Sequence, residues 1–404
     1  MVRDRFVVLD SWRGICAIIV VIFHYPGLSH LFESDFIRHG WLFVDFFFAL
    51  SGFVIAHAYQ DRLRSKREVA AFAVRRFGRV WPLHIAVLIP FVILELAKLH
   101  AVSDGLSADR APFTGLTSIP ALLANLVLIH SMGVISSLSW NGPSWSISVE
   151  YWSYLTFALV ALGCSTRSGL DQRLARPALA LIATISLVLL VSFPGTLETV
   201  SPFGFFRCLL SFVGGFFAYQ IARRTPAFRT VGIATAAEVG IMLTVWAFVT
   251  YLAFTRAVFV APVVFGTALV VFAQEGGFVS RLLKTRPFVT IGTLSFSIYM
   301  THWLLRDVFR KIIAVVEQKL HVVLSVPMDF QNATGMGSTK VIIMGGVWGG
   351  DVILIAFLAG SVAISALTYR YVELPGQRLF GKLAKRIQHG PAAAVAAARD
   401  PAPL

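Results

Sequence analysis

Charge is scarce in this chain: only 14% of its 404 residues are Asp, Glu, Lys or Arg, against about 25% in soluble domains. A soluble enzyme, a disordered chain and a collagen-like fibre are all excluded by that shortage of water-seeking surface. Cysteine is nearly missing as well. Cys16, Cys164 and Cys208 lie in or beside apolar runs, which excludes a disulfide framework and leaves them as small core residues. Acidic residues are outnumbered 21 to 35 by basic ones, for a net charge of +14. In a soluble protein that surplus would suggest nucleic acid. No zinc-finger, RNA-binding or basic-zipper pattern accompanies it, so no nucleic-acid partner is expected. A cleavable leader is not expected either, because Asp10 and Arg13 interrupt the first apolar run and no small-residue cleavage site follows.

What remains is apolar: 57% hydrophobic residues and a mean hydropathy of +0.75. This composition belongs to an all-α polytopic membrane protein, each span needing roughly 20 apolar residues. Candidate spans fall near 6–26, 41–59, 82–99, 118–135, 145–163, 178–194, 203–222, 233–253, 257–273, 289–312 and 350–371. The fourth carries Asn125 and His130 and is bordered by polar, Gly/Pro-containing stretches. Loop charge decides its fate. With the N-terminus inside and 118–135 not spanning, about 24 Lys/Arg lie inside and about 10 outside; if it spans, the split is about 16 to 18. The positive-inside rule selects ten helices, both termini cytoplasmic, with 118–135 re-entrant or extracytoplasmic. The membrane domain then occupies 1–387, and the Ala/Pro-rich stretch 388–404 reads as a disordered cytoplasmic tail. Residues 318–349 form a long Gly-bearing outer segment.

Ionisable groups inside a bilayer cost roughly 2.5–3.5 kcal/mol each on insertion scales, so each is a functional candidate. The first helix carries Asp10, Arg13 and His24. Asp10 and Arg13, three apart, read as an ion pair. Arg13 and His24 are eleven apart, three turns or roughly 16 Å, and project from one face. Glu150 stands about one and a half turns below the outer surface, a depth similar to that of His24, so a pair in which the carboxylate fixes the imidazole is expected. Asp45 and His302 are expected in the same outer leaflet, where each could equally be structural. In the loop Arg75-Arg76-Phe77-Gly78-Arg79, guanidinium forks suited to phosphate oxygens sit at the cytoplasmic edge, although such clusters also set topology or touch anionic headgroups.

Together these residues resemble the acyltransferase-3 family of integral-membrane O-acyltransferases, in its stand-alone form. The likeness runs through Leu9-Asp10-Ser11-Trp12-Arg13-Gly14 with the Arg13-x10-His24 spacing, then Gly40 to Phe53 and Arg76-Phe77-Gly78-Arg79 with Trp81-Pro82. It continues through Trp145-Ser146-Ile147-Ser148-Val149-Glu150, Gly292 to Tyr299 with His302, and Tyr369 to Glu373. Six motifs in family order are specific where any one is weak. Trp12 replaces the usual Leu, Tyr151 stands where many relatives carry a second Glu, and Leu374 sits where Arg often precedes Pro375.

The resemblance implies transfer of an acyl group, most often acetyl from acetyl-CoA, to a hydroxyl of a carbohydrate, glycolipid or other cell-envelope acceptor. It also implies residence in a bacterial inner (plasma) membrane, with acyl-CoA as co-substrate and no metal. On this reading Arg75, Arg76 and Arg79 hold the donor phosphates, and the pantetheine arm passes Arg13 toward His24. His24 is then general base or acyl carrier with Glu150 orienting it, Ser146 or Ser148 is an oxyanion donor, and Asp10, Asp45, Tyr299 and His302 support the site. The competing readings are a proton-coupled transporter or flippase using the same buried charges, and a non-catalytic donor sensor or scaffold.

Overall fold

The first helix, α1 (Val7–Phe23), buries Leu9, Cys16, Ala17, Val20 and Val21 and carries Asp10 in its first turn. It lies along α12 (Arg286–Leu320), in contact at main-chain distance. A Cβ on Gly14 would come within 2.5 Å of the Gly292 amide nitrogen, and one on Gly292 within 2.5 Å of the Asp10 carbonyl. Such small-residue contacts replace the hydrophobic drive that is missing between helices in lipid. The computed structural model describes residues 5–32, 34–103, 111–166, 169–192, 203–332 and 335–399.

Around this pair stand α2 (Asp35–Arg38), α3 (Phe43–Tyr59), α4 (Lys66–Ser103), α5 (Ile119–Leu126), α6 (Trp145–Gly163), α7 (Gln172–Ser192), α8 (Gly204–Ala222), α9 (Val231–Leu252), α10 (Ala261–Ala273) and α11 (Phe278–Leu283). After α12 follow α13 (Gly346–Thr368) and α14 (Leu374–Arg399). Among the described residues, eight helical segments are long and apolar enough to cross a membrane. The remaining two of the ten expected spans are α1, at 17 residues, and α6, whose Ser146, Ser148, Glu150 and Ser153 dilute its hydropathy. The all-α polytopic architecture stands.

Burial separates inner from outer helices. α3 and α8 pack at the centre, with Phe48, Phe53, Phe212 and Phe216 all fully buried. By contrast α7, α9 and α13 leave large apolar side chains such as Leu181, Leu243 and Ile355 exposed. In water those would be liabilities; in a bilayer they are the lipid face. The eight residues of α5 reach only about 12 Å, too short to cross. The direction of α12 agrees with that count. Arg13 meets Ser295 and His24 meets His302, so α1 and α12 run parallel and an odd number of crossings separates them. The helices α3, α4 and α6 to α10 are those seven.

Two features depart from a purely helical reading. In one, β1 (Ser165–Thr166) pairs with β2 (Gly169–Leu170). Within the outer segment 318–349, β3 (Ser325–Asn332) and β4 (Gly335–Ile342) make an antiparallel hairpin. Its end is joined to the chain just after α1: the Leu28 amide donates to the Ile342 carbonyl and the Ile342 amide to Pro26, both at 2.8 Å. At the other end of the molecule, α14 packs along α4, with Phe380 against Phe77 and Trp81. The backbone of residues 388–399 continues α14, and residues 400–404 of the expected tail lie outside the described residues.

Candidate active site

Two of the polar clusters in the interior share α1. The first lines a cavity of about 120 Å³ between α1, α3, α4, α6 and α12. Arg13 reaches in from α1, donating to Ser295 Oγ at 2.7 Å and to the Gly292 carbonyl at 3.2 Å. Its pairing with Asp10 is present at 3.3 Å, and Asp10 also meets Arg5 at 2.7 Å. Arg76 and Arg79, one turn apart on α4, line the same cavity. Arg79 is already neutralised: it forms a 2.7 Å ion pair with Glu373, a fully buried carboxylate that also accepts from Ser297 at 2.7 Å. Arg76 has no ion-pair partner among the described residues. It donates to the Tyr59 hydroxyl at 3.1 Å and lies over the Tyr59 ring at 5.0 Å and the Tyr154 ring at 5.7 Å. Arg75 points elsewhere, to Gln388 at 3.2 Å, and does not line the cavity.

Glu150 faces this cavity, which corrects the expected His24–Glu150 pair. Its carboxylate accepts from Ser51 and from the Tyr154 hydroxyl, the latter at 2.6 Å. The reason is azimuth. Glu150 and Tyr154 are one turn apart on α6, on the side turned toward α3 and α4, whereas His24 sits where α1 meets α12. Ser146 also lines the cavity and donates to the Tyr299 hydroxyl at 2.9 Å. Ser148 does not. It donates to the Leu128 carbonyl at 2.8 Å and accepts from the Ser131 amide, tying α6 to the chain just after α5. Asp45 belongs to neither cluster: it pairs with Arg207 on α8 at 2.6 Å, inside a fully buried unit that includes Ser211. This pair braces α3 against α8.

The second cluster holds the imidazoles. His302 Nδ1 lies 2.6 Å from the Tyr299 carbonyl, and its Nε2 lies 3.1 Å from His24 Nδ1. A carbonyl only accepts, so it fixes the proton of His302 on Nδ1 and leaves Nε2 as an acceptor. His24 Nδ1 must then carry the hydrogen, shared between His302 Nε2 and the Val20 carbonyl at 3.0 Å. That tautomer makes His24 Nε2 the lone-pair nitrogen, and it has no hydrogen-bond partner among the described residues. Trp303 closes one side of the His24 ring at 5.1 Å between centroids. Tyr299 links the clusters, its hydroxyl in the arginine cavity and its main-chain carbonyl on His302.

Residues 6–370 match the family model for an acyltransferase domain. The chain belongs to the acyltransferase-3 family. As an acyltransferase-3 protein it is an integral-membrane enzyme, and the acyl-transfer reading prevails over the transporter one. It is 26% identical over 364 residues to the acyltransferase MdmB of Streptomyces mycarofaciens, covering 85% of this chain and 82% of that protein. It is 33% identical over 159 residues to protein 2 in the picA locus of Rhizobium radiobacter, 36% of this chain and 78% of that one. Identity to the peptidoglycan O-acetyltransferase OatA of Listeria monocytogenes is 23% over 316 residues, 73% of this chain and 48% of OatA. No solved structure matches it.

Several site residues escaped the sequence reading. Ser51, Tyr59 and Tyr154 are neutral and unremarkable in an apolar helix. The i, i+4 spacing of Glu150 and Tyr154 was the available signal for one of them. Arg207 was available too, as an arginine inside an apolar run that needed a carboxylate.

Proposed function

We propose that this acyltransferase moves an acyl group, acetyl in the simplest case, from acyl-CoA to a hydroxyl of a carbohydrate or glycolipid of the cell envelope. The bilayer is the bacterial inner membrane, with both termini and the arginine-rich end of α4 on the cytoplasmic side. The observation that carries the reading is the proton arrangement at His24. The chain from the Tyr299 carbonyl through His302 leaves a neutral imidazole with an unpaired Nε2, which is what a general base needs.

The donor enters at the arginine end. Arg76, the cation of the cavity without a carboxylate partner among the described residues, holds donor phosphate, with Arg79 positioned through Glu373. Arg13 stands where the thin pantetheine arm passes along the cavity side of α1. The acceptor hydroxyl gives its proton to His24 Nε2 as its oxygen attacks the thioester carbonyl. The C–S bond then breaks and the thiolate recovers a proton from the imidazolium. Ser146 and Tyr299, whose hydroxyls bond each other and the Pro143 carbonyl at rest, turn to the developing oxyanion during transfer. Glu150, held by Ser51 and Tyr154, sets the field opposite Arg76. OatA, an O-acetyltransferase by name, supports the choice of hydroxyl acceptor and acetyl donor.

The test uses membranes containing the full chain, labelled acetyl-CoA and the membrane glycans. Wild type should consume donor and label glycan. His24→Ala should do neither, with expression and thermal unfolding unchanged. Full activity in His24→Ala would end the assignment of the base.

A further inference from the structure

A second cavity, of about 360 Å³, lies on the other side of α1, between α1, α3, α9 and α10. Its wall is apolar throughout: Trp12 and Cys16 come from α1, Phe46 from α3, and Ala268 and Phe272 from α10. Adjacent residues divide between the two cavities. Arg13 and Phe47 line the arginine cavity, while Trp12 and Phe46 line this one, and the two share no lining residue. The donor route therefore does not continue into it.

Its mouth faces the bilayer. Met242 and Trp246 of α9 line it and are 37% and 46% exposed, whereas Cys16 at its floor is 1% exposed. An apolar cavity of about 150 Å³ in a soluble protein stays dry and takes up benzene. This one is more than twice as large and opens where hydrocarbon chains are the solvent. Phe36 forms part of the wall near α2. Two residues on in the same short helix, Arg38 is exposed and has no ion-pair partner among the described residues. A hydrocarbon chain inside, with an anionic phosphate outside, satisfies both features.

We propose that this cavity is a lateral site for one acyl chain of a bilayer glycerophospholipid, whose phosphate rests beside Arg38. The chain enters between Met242 and Trp246 and ends against Trp12 and Cys16. It fills the space behind the helix that bears Arg13 and His24, and does so independently of catalysis.

Photolabelling of the full protein in nanodiscs tests this without an activity readout. The probe is phosphatidylglycerol with a diazirine at mid-chain, and adducts are mapped by peptide mass spectrometry. Adducts on Cys16 or Trp12 are expected, because a buried floor can be reached only from inside the cavity. Leu181 and Leu243, on the lipid face, report ordinary bilayer contact and should be labelled in every variant. Ala268→Phe should cut Cys16 labelling at least fivefold. Met242→Trp, at the lipid-exposed mouth where folding is not at risk, should do the same, and Arg38→Gln should reduce it severalfold. Labelling confined to Leu181 and Leu243 would overturn the site. So would Cys16 adducts that both cavity variants leave unchanged, or that form only with a polyprenyl-phosphate probe. Unchanged labelling in Arg38→Gln would overturn the phosphate assignment.

Discussion

Replacing His302 with alanine takes away one of the two acceptors that share the Nδ1–H of His24. The other, the Val20 carbonyl at 3.0 Å, remains in place. A neutral hydrogen bond contributes about 0.5–1.5 kcal/mol net, and about 1.4 kcal/mol is tenfold in rate. Loss of orientation alone should therefore slow transfer about two- to twelvefold. Removing the base itself should cost about 10²- to 10⁴-fold, so the two losses are well separated. The assay is single-turnover transfer from labelled acetyl-CoA by purified protein in vesicles, in which donor binding and chemistry resolve as separate phases. The binding phase should not change, because His302 stands outside the arginine cavity. His302→Gln, which restores a side-chain oxygen acceptor, should recover much of the rate. A fall as deep as that of His24→Ala would refute the reasoning, because His302 would then be moving the proton itself. No fall at all would refute it from the other side.

Asp45→Asn should lower stability by about 3–5 kcal/mol, since it strands the buried Arg207 cation; thermal unfolding in detergent measures it. Activity per folded molecule should persist, and a catalytic loss without destabilisation would return Asp45 to the chemistry. Gly14→Ala forces α1 from Gly292, where the added carbon would approach main chain to 2.5 Å. A loss of about 1–3 kcal/mol is expected, together with slower transfer; unchanged unfolding would mean the helices part freely. His130, buried outside the spans, is pushed down to about 4 by desolvation. Between about pH 6.5 and 4 the unfolded form binds a proton that the folded form does not, so up to about 3 kcal/mol of stability is lost as pH falls through that window. Protection of the amides over residues 119–134, taken relative to the intrinsic exchange rate at each pH, should fall from pH 7 to pH 5, and His130→Gln should flatten the change.

Periodicity and charge made much of this legible. The Asp10–Arg13 pair follows from three-residue spacing, and the shared face of Arg13 and His24 from three whole turns. Depth was legible for Glu150 because Pro143 and Ser144 mark where α6 begins. Rotation about the helix axis was not, since an isolated sequence carries no direction toward a neighbouring helix. Hence Glu150 was matched to the histidine at its depth rather than to the arginines it faces. Asp45 and Arg207 are 162 residues apart, and nothing local says that two buried charges find each other. The hairpin 325–342 was hidden for a different reason. Its strands pair locally, but its docking at Ile342 depends on the Gly27 and Leu28 backbone arriving from the other end of the chain.

The Gly14–Gly292 contact also works as a pivot. Arg13 and Ser295 sit beside it, so tilting α12 against α1 barely moves them. His24 lies ten residues farther along the lever, about 15 Å, and a tilt of about 4° there displaces an imidazole by about 1 Å. Misplacement of that size costs catalysis about a hundredfold. Donor grip and proton transfer therefore differ in mechanical sensitivity: substitutions far from either site that change this crossing angle should spare the affinity for donor and be felt in turnover.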